Sequence, residues 1–216
     1  MTDGRKPVSR DDRTNRRCLD AATITAVLMI ASFAAGTAAA EDRFGLGSDP
    51  NTVVIEYLER IGGIESEDPG PSVQVFANGR ILVHIPDFMN GAGNYETQLN
   101  SSQLHALVRR LVNGNLVEFD GRLARDNRRR AIEQSPVLSA TTDGSTIEIA
   151  LHLDRYTARG PGALERRGVS KRISWYGLRH DAAHYPEVPQ LHDLALSQQL
   201  LEALIKRSDL RPVAAD

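Results

Sequence analysis

The chain has 216 residues, of which 41% are hydrophobic and 25% charged, with a net charge of −2 and one cysteine. So even a charge balance argues against a nucleic-acid-binding surface. A lone cysteine excludes an internal disulfide framework, and the length suffices for one core held by burial alone.

An arginine-rich leader precedes AATITAVLMIASFAAGTAAA at residues 21–40. A basic start, a short apolar stretch and small residues at Ala38, Ala39 and Ala40 predict an export signal over residues 1–40, cut before Glu41. A membrane span needs about 20 strongly apolar residues, so no transmembrane anchor is expected after cleavage. Arg16-Arg17-Cys18-Leu19 resembles a twin-arginine signal, from which Asn15 and Asp20 depart. Removal of the leader takes Cys18 with it and leaves 20 basic and 24 acidic residues. The expected location is periplasmic or secreted.

Residues 41–51 are polar and Gly-rich, an expected flexible arm. Thr52 to Arg60 reads as a strand by its Val, Ile and Tyr content, ended by Ile61-Gly62-Gly63-Ile64. In VQVFANGRILVHI, Asn78-Gly79 between two apolar runs predicts a two-residue type I′ hairpin. That turn opposes Phe76 to Ile81, Gln74 to Val83 and Ser72 to Ile85, and puts apolar groups on both faces, as in a central hairpin. After the loop from Asn90 to Asn94, Tyr95 to Leu99 predicts a short strand. Asn100 with Gln103 forms a capping-box pattern. Leu104, Leu107, Val108, Leu111 and Val112 then make one apolar helical stripe, with Gly114 as the expected left-handed stop. Leu116 to Phe119 should dock, and Arg122 to Gln134 reads as a polar helical connector.

Asp143-Gly144 predicts a turn into a strand whose Ile147, Ile149, Leu151 and Leu153 alternate with polar positions, buried on one side. A loop at Gly160-Pro161-Gly162 leads to a strand over Arg172 to Tyr176. Pro189 opens a Leu-rich helix, and residues 208–216 read as a flexible tail. Runs of strands followed by helices predict one α+β domain over residues 52–207. Its expected form is an antiparallel sheet of about five or six strands with two long helices packed on one face.

The sharpest chemical pattern is His180-Asp181-Ala182-Ala183-His184, two imidazoles one helical turn apart, with Glu187 or His192 as a third ligand for zinc. Asp181 stands where a zinc peptidase carries its catalytic glutamate. Arg122, Arg125, Arg128, Arg129 and Arg130 form a basic run that reads as a solvated helix face. No G-x-S-x-G elbow, no S-x-x-K and no Walker lysine occurs, and three Gly-x-Gly triplets lack the third glycine of a dinucleotide loop. No cofactor is therefore expected.

The strand ending in Gly62-Gly63, the capped helix SSQLHALVRRLV with its exit at Leu116 and Phe119, DGSTIEIAL and the Leu-rich helix together resemble exported bacterial domains of unknown function. The same skeleton, over residues 52–206, is similar to the emfourin type of metalloprotease inhibitor, although the family-like Gly-Gly-Phe-Ala-Gly is Gly62-Gly63-Ile64-Glu65-Ser66 here. These features lead to the expectation of an exported, non-enzymatic domain that binds a protein. A protease inhibitor, which the resemblance implies, and a metal-dependent hydrolase using His180 and His184 are the alternatives.

Overall fold

Alternation of buried and exposed side chains along the strands decides how this chain layers. The computed structural model describes residues 43–63, 67–134 and 144–213. In chain order the elements are β1 (Phe44–Gly45), β2 (Val53–Arg60), β3 (Ser72–Phe76), β4 (Arg80–Ile85), β5 (Gly93–Gln98), α1 (Ser101–Asn113), α2 (Gly121–Gln134), β6 (Thr146–Thr157), β7 (Glu165–Tyr176), α3 (Leu178–His184), α4 (Pro189–Ile205) and β8 (Arg211–Pro212). The class is α+β, with eight strands in one sheet among the described residues, where the sequence suggested about five or six.

Every pairing is antiparallel. The central path runs β6-β2-β3-β4-β5, with β8 on the edge of β5 and β7 along the other edge of β6. The additional strands come from segments read as arm and tail. Phe44 is buried, opposite Tyr156, because a side chain so apolar gains by leaving water. Arg211–Pro212 pairs with Tyr95 and Glu96 and so covers backbone groups that the edge of β5 would otherwise expose. β7 is also longer than its apolar end suggested, since Glu165 to Lys171 pair with β6 in spite of their polarity.

The β3–β4 hairpin differs by one residue from the expected register. Val73 stands opposite Val83 and Val75 opposite Ile81, which requires a three-residue loop, Ala77-Asn78-Gly79. Gly79 N–H closes it on Phe76 O at 2.8 Å, and Gly79 takes φ +86°. The slip collects Val73, Val75, Ile81 and Val83 on one face, all buried, whereas the two-residue turn would have split them. Ile55, Tyr57, Ile147, Ile149 and Leu151 continue that face across β2 and β6. Together with Leu104, Val108 and Leu111 of α1 and Leu191, Leu194 and Leu201 of α4 they form one core. Both helices therefore lie on one face of the sheet. The other face carries Glu56, Gln74, Glu148 and Arg172.

The capping box of α1 is present: Asn100 Oδ1 accepts from Gln103 N at 2.9 Å, and Gln103 Oε1 accepts from Asn100 N at 3.0 Å. Its end departs from expectation. Gly114 has φ −75° and Asn115 supplies the left-handed residue at φ 59°. Leu116 N reaches Leu111 O and Asn115 N reaches Val112 O, a Schellman closure one residue later. A Cβ on Gly114 would lie 3.5 Å from Ser197 Oγ, an ordinary contact, so α1 approaches α4 here without requiring glycine. The turn expected at Asp143-Gly144 begins outside the described residues, as does the predicted signal.

Candidate functional site

Alternation along β2 sends Ile55, Tyr57 and Glu59 to the core side, so a carboxylate enters the protein next to Ile147. Glu59 is only 7% exposed. A charge so placed persists when it is paired and hydrogen-bonded, and four donors meet it. Arg179, in the first turn of α3, grips it with both ends of its fork, Nη1 to Oε1 at 2.7 Å and Nη2 to Oε2 at 3.0 Å. Ser145 Oγ donates to Oε1 at 2.6 Å and Tyr57 Oη to Oε2 at 3.1 Å. From α4, Glu202 Oε1 accepts from Arg179 Nη2 at 2.7 Å, and Gln198 Nε2 lies 3.5 Å from Tyr57 Oη. The knot joins β2, the entry to β6, α3 and α4.

Burial raises the proton affinity of Glu59, but the hydrogen bonds from Arg179 and Ser145 and the guanidinium charge outweigh it and hold the carboxyl below its usual range. Burial, with the neighbouring charge of Glu59, pushes the Tyr57 phenol far above its own range. Burial works against the charge of Arg179, and the hydrogen bond and charge of Glu59 more than offset it. A carboxylate offers about four acceptor sites, and Glu59 has all four filled. Its acceptors are taken by Arg179, Ser145 and Tyr57. The knot therefore ties these elements together.

Two clefts flank Arg179, each of about 330 Å³. One, between α3 and α4, is lined by Ala182, Ala183, Ala195, Leu196 and Gln199; the other by Glu59, Ser145, Gly177 and His180. Arg179 remains half exposed and has donors beyond the three it uses.

His180 and His184 come together, but face to face: their rings stack at 4.0 Å with 19° between planes. His184 Nδ1 is engaged by His180 O at 2.9 Å. Among the described residues no group of three His, Cys, Asp or Glu stands close enough to hold a metal ion, so neither Glu187 nor His192 completes a set. Asp181, at the position of a peptidase glutamate, is buried and accepts from Trp175 Nε1 at 2.9 Å; Arg128 Nε lies 2.7 Å from the same oxygen. One member of the arginine run is thus drawn inward from the solvated face.

α4 presents a second feature. Its inner stripe, Leu191, Leu194, Leu201 and Leu204, is buried. Its outer stripe is also apolar or small, with Ala195, Leu196, Leu200 and Ala203, and Leu196 is 44% exposed. His192 and Gln199 stand among them on the same outer face, which is therefore apolar in part and polar in part. Here shallow clefts lie on both flanks, toward α3 and toward α1, the latter lined by Ala106, Leu107, Leu200 and Ala203 with Arg110 and Arg207 at its rim.

Comparison of the chain with protein-family models, with curated proteins and with solved structures finds no match. No residue motif marks the Glu59 knot. Its one sequence signal is a glutamate two residues beyond Tyr57 on a strand whose alternation points both inward.

Proposed function

We propose that this chain is an exported, non-enzymatic domain that binds a protein, and that the partner lays an amphipathic helix with acidic flanks along the outer stripe of α4. The observation that carries this reading is the set of apolar and small outer residues of α4, Ala195, Leu196, Leu200 and Ala203, which line two clefts open to water. Arg179 stands at one end, and Arg110 and Arg207 at the other; Arg110 makes no ion pair among the described residues. Apolar grooves bounded by charge favour helices of complementary sign. The filled acceptors of Glu59 support binding over catalysis. The signal-like residues 1–40 support export, and no helix among the described residues is long and apolar enough to cross a membrane.

The test is affinity capture from the envelope fraction with native protein, Leu196→Glu and Arg110→Glu as baits. A partner retained by the native protein and lost with both variants is the expected result. Equal recovery by all three, or capture only of a second copy of this chain, overturns the reading. N-terminal sequencing of native protein tests export, with a start at Glu41 expected.

A second reading, a protease inhibitor of the emfourin type, draws support from the loops after β2 and β4. Asp68 Oδ2 accepts from His84 Nε2 at 2.9 Å and from Asp87 N at 3.3 Å, which clamps the loop after β2 to the loop after β4, where Phe88 and Met89 are exposed. Asp68, His84 and Asp87, tied together in this way, suit the support of a segment that enters a protease cleft. Inhibition of a zinc endopeptidase by the native protein, weakened by Met89→Asp, would support it.

A further inference from the structure

The β5–β8 edge of the sheet holds another cleft, lined by residues other than those of the outer stripe of α4. Arg80 of β4 stands opposite Gln98 of β5, and Glu96 of β5 opposite Arg211 of β8. With Thr97 and Asp209 they line a space of about 500 Å³, within the range of small-ligand sites. Two guanidinium groups thus flank a carboxylate and an amide across three adjacent strands.

Arg80 and Gln98 are held in place by their own contacts, whereas Glu96 and Arg211 are exposed. Arg80 lies on the Phe76 ring, 4.4 Å from its centroid, and its Nε is buried with no acceptor among the described residues. Stacking of this kind holds the planar fork ready for a carboxylate. Gln98 Nε2 donates to Asn78 O at 2.6 Å and to Leu99 O at 3.2 Å, which leaves its Oε1 as an acceptor. Asp209 is satisfied already, by Arg207 at 2.9 and 2.7 Å and by Thr97 Oγ1 at 3.0 Å. Arg80, Arg211 and Glu96 form no ion pair among the described residues.

We infer that this cleft binds an α-amino acid, its carboxylate on Arg80 and Arg211 and its ammonium on Glu96 and Gln98 Oε1. A purely anionic ligand would face Glu96, and a purely cationic one would face two guanidinium groups; a zwitterion satisfies both signs. The site does not rest on the α4 surface, and each can fail without the other.

Isothermal titration calorimetry tests it with glycine, alanine and glutamate as probes, and succinate and inorganic phosphate as controls without an amine. Saturable binding of at least one amino acid is expected, weakened about tenfold or more by Arg80→Gln and by Glu96→Gln separately. Arg211→Gln, on an exposed two-residue strand, is a further variant whose folding does not depend on the Phe76 stack. Melting temperatures close to native place the loss at the ligand. No saturable heat with any amino acid overturns the inference, as does succinate or phosphate binding as tightly as the amino acids or indifference to Glu96→Gln.

Discussion

Glu59 and His84 show how single residues set the electrostatics of this protein. Glu59 is buried and holds its charge only through Arg179, Ser145 and Tyr57. Glu59→Gln should therefore cost about 2–3 kcal/mol in a denaturant melt, less than a fully enclosed pair because Arg179 is half exposed. An unchanged melt would mean that water, not Glu59, satisfies Arg179. His84 lies between Asn94 Oδ1 at 2.8 Å and the Asp68 carboxylate. Partial burial alone would push the imidazole down, but the bonds to Asn94 and Asp68 and the charge of Asp68 hold it above its usual value. Asp68 is held below its own range: burial raises it, and the Gly70 N–H and His84 outweigh that. A raised histidine contributes stability that is full below its unfolded value of about 6.5 and lost as pH rises through the folded value; a lowered aspartate contributes above about 3.9 and loses as pH falls. The clamp should thus add most between those limits. Thermal melts should show His84→Gln losing more, relative to native, inside this window than at alkaline pH above the raised value of His84, and an equal loss at both would exclude the charged clamp. Neither residue announced itself in the sequence, because a charge on a strand reveals its partner only once distant segments meet.

Among the elements, helices were the most legible. The capping box at Asn100 and Gln103 and the stripe from Leu104 to Val112 depend on neighbours within one turn, so local spacing suffices. The stripe is not uniform, however. Leu111 is fully buried while Leu107 lines the cleft beside α4. Leu111→Ala should cost about 2–5 kcal/mol and Leu107→Ala about 1 kcal/mol; equal losses would mean that the helix face is misassigned. The connector helix α2 was legible as a polar helix, but not the fate of Arg128, whose partner Asp181 lies far along the chain. Arg128→Ala should destabilise by about 1–3 kcal/mol, since it leaves a buried carboxylate short of a cation, whereas Arg129→Ala should have little effect. The hairpin register escaped the sequence because Asn78-Gly79 suits both loop lengths. The buried face settled the choice, through Val73, Val75, Ile81 and Val83.

At the scale of the whole molecule, alternation and helical spacing fixed the α+β class and the one-sided placement of the helices. They did not reveal β1 and β8, which are too short to carry a pattern and exist because the part of β6 beyond its pairing with β2, and the edge of β5, accept them. The candidate sites were less legible still. The pattern of His180 and His184 gives stacked rings, and the surfaces that the structure offers for binding are made from residues far apart in the chain. The account turns on the outer stripe of α4, where Leu196 is presented to solvent from a helix apolar on its other side as well. The most direct test is to place a photoreactive amino acid at position 196 in the protein within its native cells, with the exposed Leu123 of α2 as the control position, and to identify the adducts by mass spectrometry. The account predicts a discrete adduct to a different polypeptide from position 196 and none from 123. No adduct at 196, the same adducts from both positions, or an adduct only to a second copy of this chain would contradict it.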